Sequence, residues 1–306
     1  MYTGALENRP DLIEVLSRRR PLWGNQAATV RMVRDPISLA ETLRSHGLCA
    51  PGVRIDPIGL PVDGSWLRKP LESSAGHGIS EYRDEVEPST ACYYQERIEG
   101  PSLSAIYVGG REGASLVGIT RQLIGRGDSH FAYRGNLAPW PISTHAAQRV
   151  MAIGRALVHA FGLVGLFGVD FILRREEPWV VEVNPRYTAA VEVLELALGR
   201  ALLAEHRRAC LGEPIEHRIV GPADRHSFVA KEIVFAATDL EFDVTEYEPA
   251  KALFEIPVIG DVPDPGTRFD VGDPVLTVFA EGATPESCMA ALEDRRRAFE
   301  RLLLAR

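Results

Sequence analysis

The stretch VGLFGVDFILRREEPWVVEVNP (164–185) decides the fold. Two apolar runs rich in β-branched and aromatic residues flank a charged centre, the pattern of two paired strands. With the turn at Arg174–Pro178, centred near Glu176, antiparallel pairing sets Asp170 opposite Glu182 and Gly168 opposite Asn184. Side chains alternate along a strand, so Glu182 and Asn184 share a face. Asp170, Glu182 and Asn184 then converge as three hard oxygen donors, with Gly168 leaving room. Carboxylates facing each other across a ladder repel, and unpaired charge in apolar strands is costly. A divalent cation resolves both problems. Magnesium suits this set, because it takes one or two carboxylates and completes its shell with phosphate oxygens and water. The alternative is a pair of solvated carboxylates on an open sheet face.

Upstream, Lys69 ends a short strand and precedes the small-residue loop ESSAGHG (72–78). Ser73, Ser74, Ala75, Gly76 and Gly78 let backbone N–H groups approach a polyphosphate. His77 either touches phosphate or is simply exposed. The order of a Walker A loop is absent, and an ordinary surface hairpin is the competing reading. In YYQERIEGPSLS (93–104), a strand carrying Gln95, Glu96 and Ile98 breaks at Gly100-Pro101. Such a strand suits hydrogen bonding to an adenine edge through backbone atoms.

HFAYRGNLAPWPIS (130–143) reads as an aromatic loop leading into a long helix, 143–162, with Val150, Ile153, Leu157 and Phe161 on one stripe and Gly162 as C-cap. Tyr133, Arg134 and Asn136 are candidates for recognising an amino-acid substrate, with Arg134 pairing a carboxylate. Simple packing of the aromatics is the alternative. Residues 1–60 read as helices and short links, and 226–282 as short strands with Pro/Gly turns before a final helix from about Pro285 to Leu304.

The chain has 306 residues, enough for about two domains. A net charge of −8 disfavours bulk nucleic-acid binding. No apolar run reaches the roughly 18 to 20 residues of a membrane span, and the N-terminus lacks a signal pattern. Four scattered cysteines without a CxxC pair suit a reducing, cytoplasmic setting. Of 34 basic residues only Lys69, Lys231 and Lys251 are lysines, so a single arginine says little about selection for guanidinium chemistry, and a lysine says more. Lys231 reads as structural or interfacial.

The order of these motifs resembles the ATP-grasp superfamily: a lysine before a small-residue loop, a Q-E-x-I-E-G hinge strand, an acidic strand and an E-x-N-P-R strand. The resemblance covers roughly residues 1–220, and the C-terminal part resembles the small domain of biotin-carboxylase-like members. It implies an α+β, α/β-type ATP-grasp fold, two subdomains clasping ATP, with a small β-rich C-terminal domain. Lys69 would contact ATP phosphates under the 73–78 loop. Gln95, Glu96 and Ile98 would hold adenine, with Glu99 or Ser102 near the ribose. Asp170, Glu182 and Asn184 would bind magnesium, as two ions that manganese could replace. Arg186 would stabilise the transferred phosphoryl group.

Two departures stand out. Where those enzymes carry a second phosphate-binding lysine, this chain has Pro36, leaving Arg34 or Arg121 as substitutes. Four residues past Arg186, their catalytic glutamate is replaced by Ala190, and no biotin-attachment motif is present. Carboxylation of biotin is therefore not expected. The phrases YTGALENRPDL, LWGN, RMVRDP, GITRQLIG and NPRYTAAVEVLE resemble ATP-grasp ligases of one-carbon metabolism, akin to the tyramine–glutamate ligase of methanofuran synthesis.

The expected layout is a remnant of an N-terminal domain (1–22), an ATP-grasp domain (23–220, its lid about 50–108 and metal-binding part about 109–220) and a C-terminal domain (221–306). The start reads either as truncated or as a member lacking the usual first domain. The expected activity is ATP-dependent carboxylate–amine ligation through an acyl phosphate, with small-molecule acids such as glutamate and amines as partners and a homodimer left open. A carboxyphosphate-forming enzyme and a nucleotide-binding regulatory or assembly subunit without turnover are the alternatives.

Overall fold

A computed structural model describes residues 1–84, 91–127, 129–215, 227–243, 252 and 254–304. A 3₁₀ turn (Gly4–Asn8) leads into helices α1 (Pro10–Ser17), α2 (Ala27–Arg34) and α3 (Pro36–Ser45). Asp35 caps α3 by accepting from Ser38 N at 2.8 Å. Pro36 fills the first helical position, where its missing N–H costs nothing. Strands β1 (Val53–Arg54), β2 (Trp66–Pro70), β3 (Ser80–Glu81) and β4 (Cys92–Glu96) form a four-stranded sheet in the order β1-β4-β2-β3.

The chain then builds β5 (Ser102–Gly110), β6 (Gly113–Arg126), β7 (Ser129–Ala138), helix α4 (Thr144–Phe161), β8 (Gly165–Arg174), β9 (Glu177–Asn184) and helices α5 (Ala189–Leu198) and α6 (Leu203–Leu211). Ser143 Oγ accepts from Ala146 N at the start of α4, and Gly162 closes it in the left-handed conformation, φ 64°. The expected stripe of Val150, Ile153, Leu157 and Phe161 is buried in one cluster with Tyr107, Phe167 and Val169. The C-terminal part supplies β10 (Phe228–Phe235), β11 (Leu240–Glu241), β12 (Ile259–Gly260), β13 (Arg268–Phe269), β14 (Pro274–Gly282) and α7 (Pro285–Leu304).

An eight-stranded sheet, ordered β12-β14-β10-β7-β6-β5-β8-β9, forms the floor of the molecule, and β11 and β13 pair separately. Residues 130–143, read from sequence as a loop, mostly lie in β7. Clean alternation is hidden there because the β6–β7 ladder slips between Leu123 and Ile124, which bulges Arg134 out. At Gly135 an added Cβ would lie 1.9 Å from the Lys231 carbonyl oxygen, so only glycine lets β7 and β10 pair. Through that pairing β10 and β14 continue the central sheet. The boundary near 221 falls outside the described residues.

The hairpin of 164–185 pairs as expected at its functional end and differs at its turn. Arg175 and Glu176 both take positive φ, 49° and 68°, making a two-residue turn with Arg174 opposite Glu177. That tighter turn alone would set Asp170 opposite Val181. A bulge at Val181 restores the Asp170–Glu182 and Gly168–Asn184 pairs. Among the described residues no helix is long and apolar enough to cross a membrane.

Candidate functional site

Between the four-stranded sheet and the central sheet lies a cleft of about 610 Å³. Lys69 and Gln95 border it from the smaller sheet, and Ser104, Gln122, Asp170, Glu182 and Asn184 from the larger. The period-two side-chain alternation of strands puts these polar groups on one face of otherwise apolar strands.

Asn184 Nδ2 donates to Asp170 Oδ2 at 3.1 Å, and Ser104 and Gln122 also donate to the Asp170 carboxylate. Burial, and then the Glu182 charge, push the Asp170 pKa up to about 6. Among the described residues no group of three His, Cys, Asp or Glu side chains forms a metal cluster. Two opposed carboxylates and an amide fit a magnesium ion that finishes its shell on phosphate.

Lys69 is buried, and its Nζ donates to Gln95 Oε1 at 3.2 Å and to the Val181 carbonyl at 3.4 Å. The Val181 bulge therefore serves twice, by keeping the Asp170–Glu182 register and by giving the lysine an acceptor. Burial pulls the Lys69 pKa down, but Tyr93, Glu182 and Asp170 more than offset this, and the net shift is upward. The lysine stays a cation.

The small-residue loop folds over the cleft. Ala75 O accepts from Tyr133 N at 3.0 Å, and Gly76 (φ 75°) packs so tightly on Phe131 that a Cβ would lie 1.9 Å from its carbonyl oxygen. Ser74, Ala75 and Gly76 line the cleft, whereas Ser73, His77 and Gly78 do not. The reason is local: Ser73 Oγ donates back to the His77 carbonyl at 2.6 Å, closing a turn that leaves His77 and Gly78 exposed.

Gln95, Glu96, Ile98, Glu99 and Ser102 all border the cleft. Three of these side chains already have partners within the protein, Gln95 accepting from Lys69 Nζ and donating through Nε2 to the Val181 carbonyl at 3.3 Å. Glu96 Oε2 accepts from Gly52 N at 2.9 Å, and Ser102 Oγ donates to Gln122 Oε1 at 2.6 Å.

Arg186 borders the cleft as expected, with Asn184 two residues before it. Its terminal nitrogens donate to Glu7 Oε1 at 2.7 Å, Tyr187 O at 3.1 Å and Asn184 Oδ1 at 3.4 Å, while its Nε has no partner and is buried. Arg34 lies outside the cleft, and its guanidinium pairs with the same Glu7 oxygen at 3.0 Å. Arg121 is excluded by strand alternation. Thr120 and Gln122 face inward, and Arg121 lies exposed over the Trp140 ring, 4.9 Å from its centroid. Arg34 instead lines a smaller pocket beside the cleft, together with Lys69, Ser73 and Glu182, and Arg121 does not.

Of the substrate candidates, Tyr133 and Asn136 border the cleft, where the Tyr133 hydroxyl donates to Asn136 Oδ1 and Asn136 Nδ2 to Thr120 Oγ1 at 2.8 Å. Arg134 does not join them. The bulge turns it to an ion pair with Glu232 of β10. Ala190 lines the cleft and brings no carboxylate.

Sequence reading missed Ser104, Gln122 and Glu7. The first two carry a usable signal, since each is a polar residue two positions from another inward-facing one. Glu7 carries none, because its partner Arg186 is far along the chain.

Residues 33–190 match the sequence profile of the ATP-grasp domain. An uncharacterised protein of Methanocaldococcus jannaschii is 24% identical over 221 residues, covering 70% of this chain and 50% of that protein. Formate-dependent phosphoribosylglycinamide formyltransferase of Stenotrophomonas maltophilia is 33% identical over 178 residues, covering 52% of this chain and 42% of the enzyme. The chain thus spans about half or less of the length of these relatives. Among solved structures, an L-amino acid ligase from Bacillus licheniformis superposes with a TM-score of 0.69 at 14% identity, over 90% of this chain and 73% of that one. The biotin carboxylase domain of Hydrogenobacter thermophilus 2-oxoglutarate carboxylase, determined with MgADP and bicarbonate, gives 0.74 at 12% identity, over 97% and 72%. The matched segment runs from the end of α2 through the smaller sheet, the small-residue loop and the acidic hairpin to the start of α5, and the chain belongs to the ATP-grasp family.

Proposed function

We propose that the chain is an ATP-dependent ligase that joins a carboxylic acid to an amine. The observation that carries this reading is the buried Lys69 facing the Asp170–Glu182–Asn184 cluster across a cleft covered by residues 74–76. A buried cation beside a half-buried like-charge carboxylate pair is poised for a polyphosphate and its metal. Adenine enters between Ile98 and Ile172, which border the cleft near the hinge strand. Asp170, Glu182 and Asn184 would hold magnesium, which supplies charge neutralisation on the phosphate oxygens. Lys69 binds those oxygens from the opposite side.

The substrate carboxylate lies toward Tyr133 and Asn136. One of its oxygens forms a bond to the γ-phosphorus as the bond to the β-phosphate oxygen breaks, giving an acyl phosphate and ADP. The Arg186 guanidinium stabilises charge on the moving phosphoryl group. An amine then adds to the acyl carbon, and inorganic phosphate leaves as the amide forms. Closure of the 72–78 loop excludes water from the acyl phosphate.

A screen of carboxylic acids, glutamate first, against amines and amino acids for stimulated ADP release tests the proposal. Release that needs both an acid and an amine supports it. Release that needs bicarbonate alone replaces it with a carboxyphosphate-forming reaction. Pro36 at the usual lysine position favours nucleotide holding without turnover, and Mg-ATP binding with no stimulated release would establish that reading instead.

A further inference from the structure

Glu7 lies in the 3₁₀ turn Gly4–Asn8, and its side chain is 1% exposed. A carboxylate so buried needs strong partners. Glu7 Oε1 accepts a hydrogen bond from Arg186 Nη2 at 2.7 Å and forms an ion pair with Arg34 Nη1 at 3.0 Å without hydrogen-bond geometry, whereas Oε2 has no hydrogen-bond partner. Both arginine side chains are largely buried, at 14% and 13% exposed.

The surrounding segment is tied to the same turn of chain. Tyr2 Oη donates to the carbonyls of Asn25 and Pro185, at 3.1 and 3.3 Å, and Asn25 Nδ2 donates to Pro185 O at 2.9 Å. Asn25 Oδ1 accepts from Val164 N at 2.9 Å, at the entry to β8. The N-terminal segment therefore grips the residue before Arg186 from two side chains, and the guanidinium itself from a third.

The partners of Arg186 are unevenly distributed. Glu7, Tyr187 O and Asn184 Oδ1 occupy the terminal nitrogens, and Nε alone is left without an acceptor, in a side chain that borders the cleft. A guanidinium is a rigid fork, so fixing its terminal nitrogens fixes the direction of Nε–H. Left unheld, an arginine side chain carries several rotatable bonds and loses much rotamer freedom when it is fixed.

We infer that Glu7 is a positioning residue, which sets the Arg186 guanidinium so that its Nε–H is the donor offered to the phosphoryl group. This rests on the proposed role of Arg186. Two consequences follow. Glu7 partly neutralises the guanidinium, so its value lies in orientation and not in added attraction for anions. The N-terminal turn, which carries none of the family's nucleotide motifs, belongs to the reaction centre.

The test uses the full chain. The Arg186 Nε–H resonance is assigned in an ¹⁵N spectrum by its loss in Arg186→Ala, and followed while Mg-AMPPNP is added. In the wild type it is expected to be sharp and to move on addition. In Glu7→Gln, which keeps size and removes charge, it broadens. The rate of stimulated ADP release falls roughly ten- to hundredfold with KM for ATP within about twofold. Glu7→Asp recovers part of the rate, and Glu7→Gln adds no further loss to Arg186→Ala. Thermal melting identifies any variant that fails to fold, and for such a variant the Glu7→Asp comparison decides. If the resonance moves identically in wild type and Glu7→Gln, or the two losses add, the inference is overturned while the role of Arg186 stands. If nucleotide leaves the wild-type resonance unmoved, the role of Arg186 itself falls, and this inference with it.

Discussion

Asp170 and Glu182 oppose each other across the hairpin only because Val181 is bulged out of the ladder between them and the turn. Burial first, and then the opposed Glu182 charge, raises the Asp170 pKa to about 6. Its folded value lies above the ordinary 3.8. The group therefore favours the fold at low pH, below about 4, and that contribution is lost as pH rises through about 6. For roughly two pKa units the difference is about 3 kcal/mol. Without ligand, Asp170→Asn should melt higher than wild type at pH 7.5, with the gap closing toward pH 4. A gap that is constant with pH would show that this carboxyl is not under strain.

Magnesium binding should show the opposite slope. Below about pH 6 the ion must displace a proton from Asp170. Calorimetric titration with Mg-ATP should give affinity that weakens by up to about tenfold per pH unit there, and Asp170→Asn should abolish that dependence.

Lys69→Met removes the buried cation and leaves Gln95 Oε1 and the Val181 carbonyl without their donor. Mg-ATP affinity should fall roughly tenfold or more, and stability by about 1–3 kcal/mol. Unchanged nucleotide affinity would place the phosphates elsewhere.

Gly76→Ala adds a methyl 1.9 Å from the Phe131 carbonyl oxygen, at a φ of 75° that L-residues avoid. The loop should undock from β7 and lose the hydrogen bond from Tyr133 N to Ala75 O. Melting temperature should barely change, since the loop is largely exposed, while limited proteolysis in residues 72–78 should become faster in the presence of nucleotide. Protection equal to that of the wild type would mean the loop closes without this contact.

Gly135→Ala places a methyl against the Lys231 carbonyl at the β7–β10 seam. Backbone cannot yield as a side-chain tip can, so a loss of roughly 2–4 kcal/mol in denaturant unfolding is expected. Nucleotide affinity measured on the remaining folded fraction should change much less.

What could be read from sequence was local or periodic. Alternation found the Asp170, Glu182 and Asn184 face, and capping residues bounded α4 and α3. The Asp170–Glu182 register was reached from a turn drawn one residue too wide, and the Val181 bulge compensates for the difference. Strand β7 was misread because a bulge breaks the alternation that marks a strand, and Arg134 was assigned inward for the same reason. Arg121 was misplaced although its neighbours' parity pointed outward. The pairing of Glu7 with Arg186 joins residues that no local pattern links.

The β7–β10 seam also bears on the biophysics of shortened chains. With residues 227–304 in place, β10 covers the outer side of β7 through the pairs Val229–Ala138 to Glu232–Gly135. A chain cut ahead of β10 would keep every residue of the proposed nucleotide site named above. It would also bare an unpaired strand with free N–H and C=O groups along its edge, an open template for another molecule's strand. Such a fragment is expected to self-associate in solution, and the C-terminal strands act as the guard that keeps the sheet from growing between molecules.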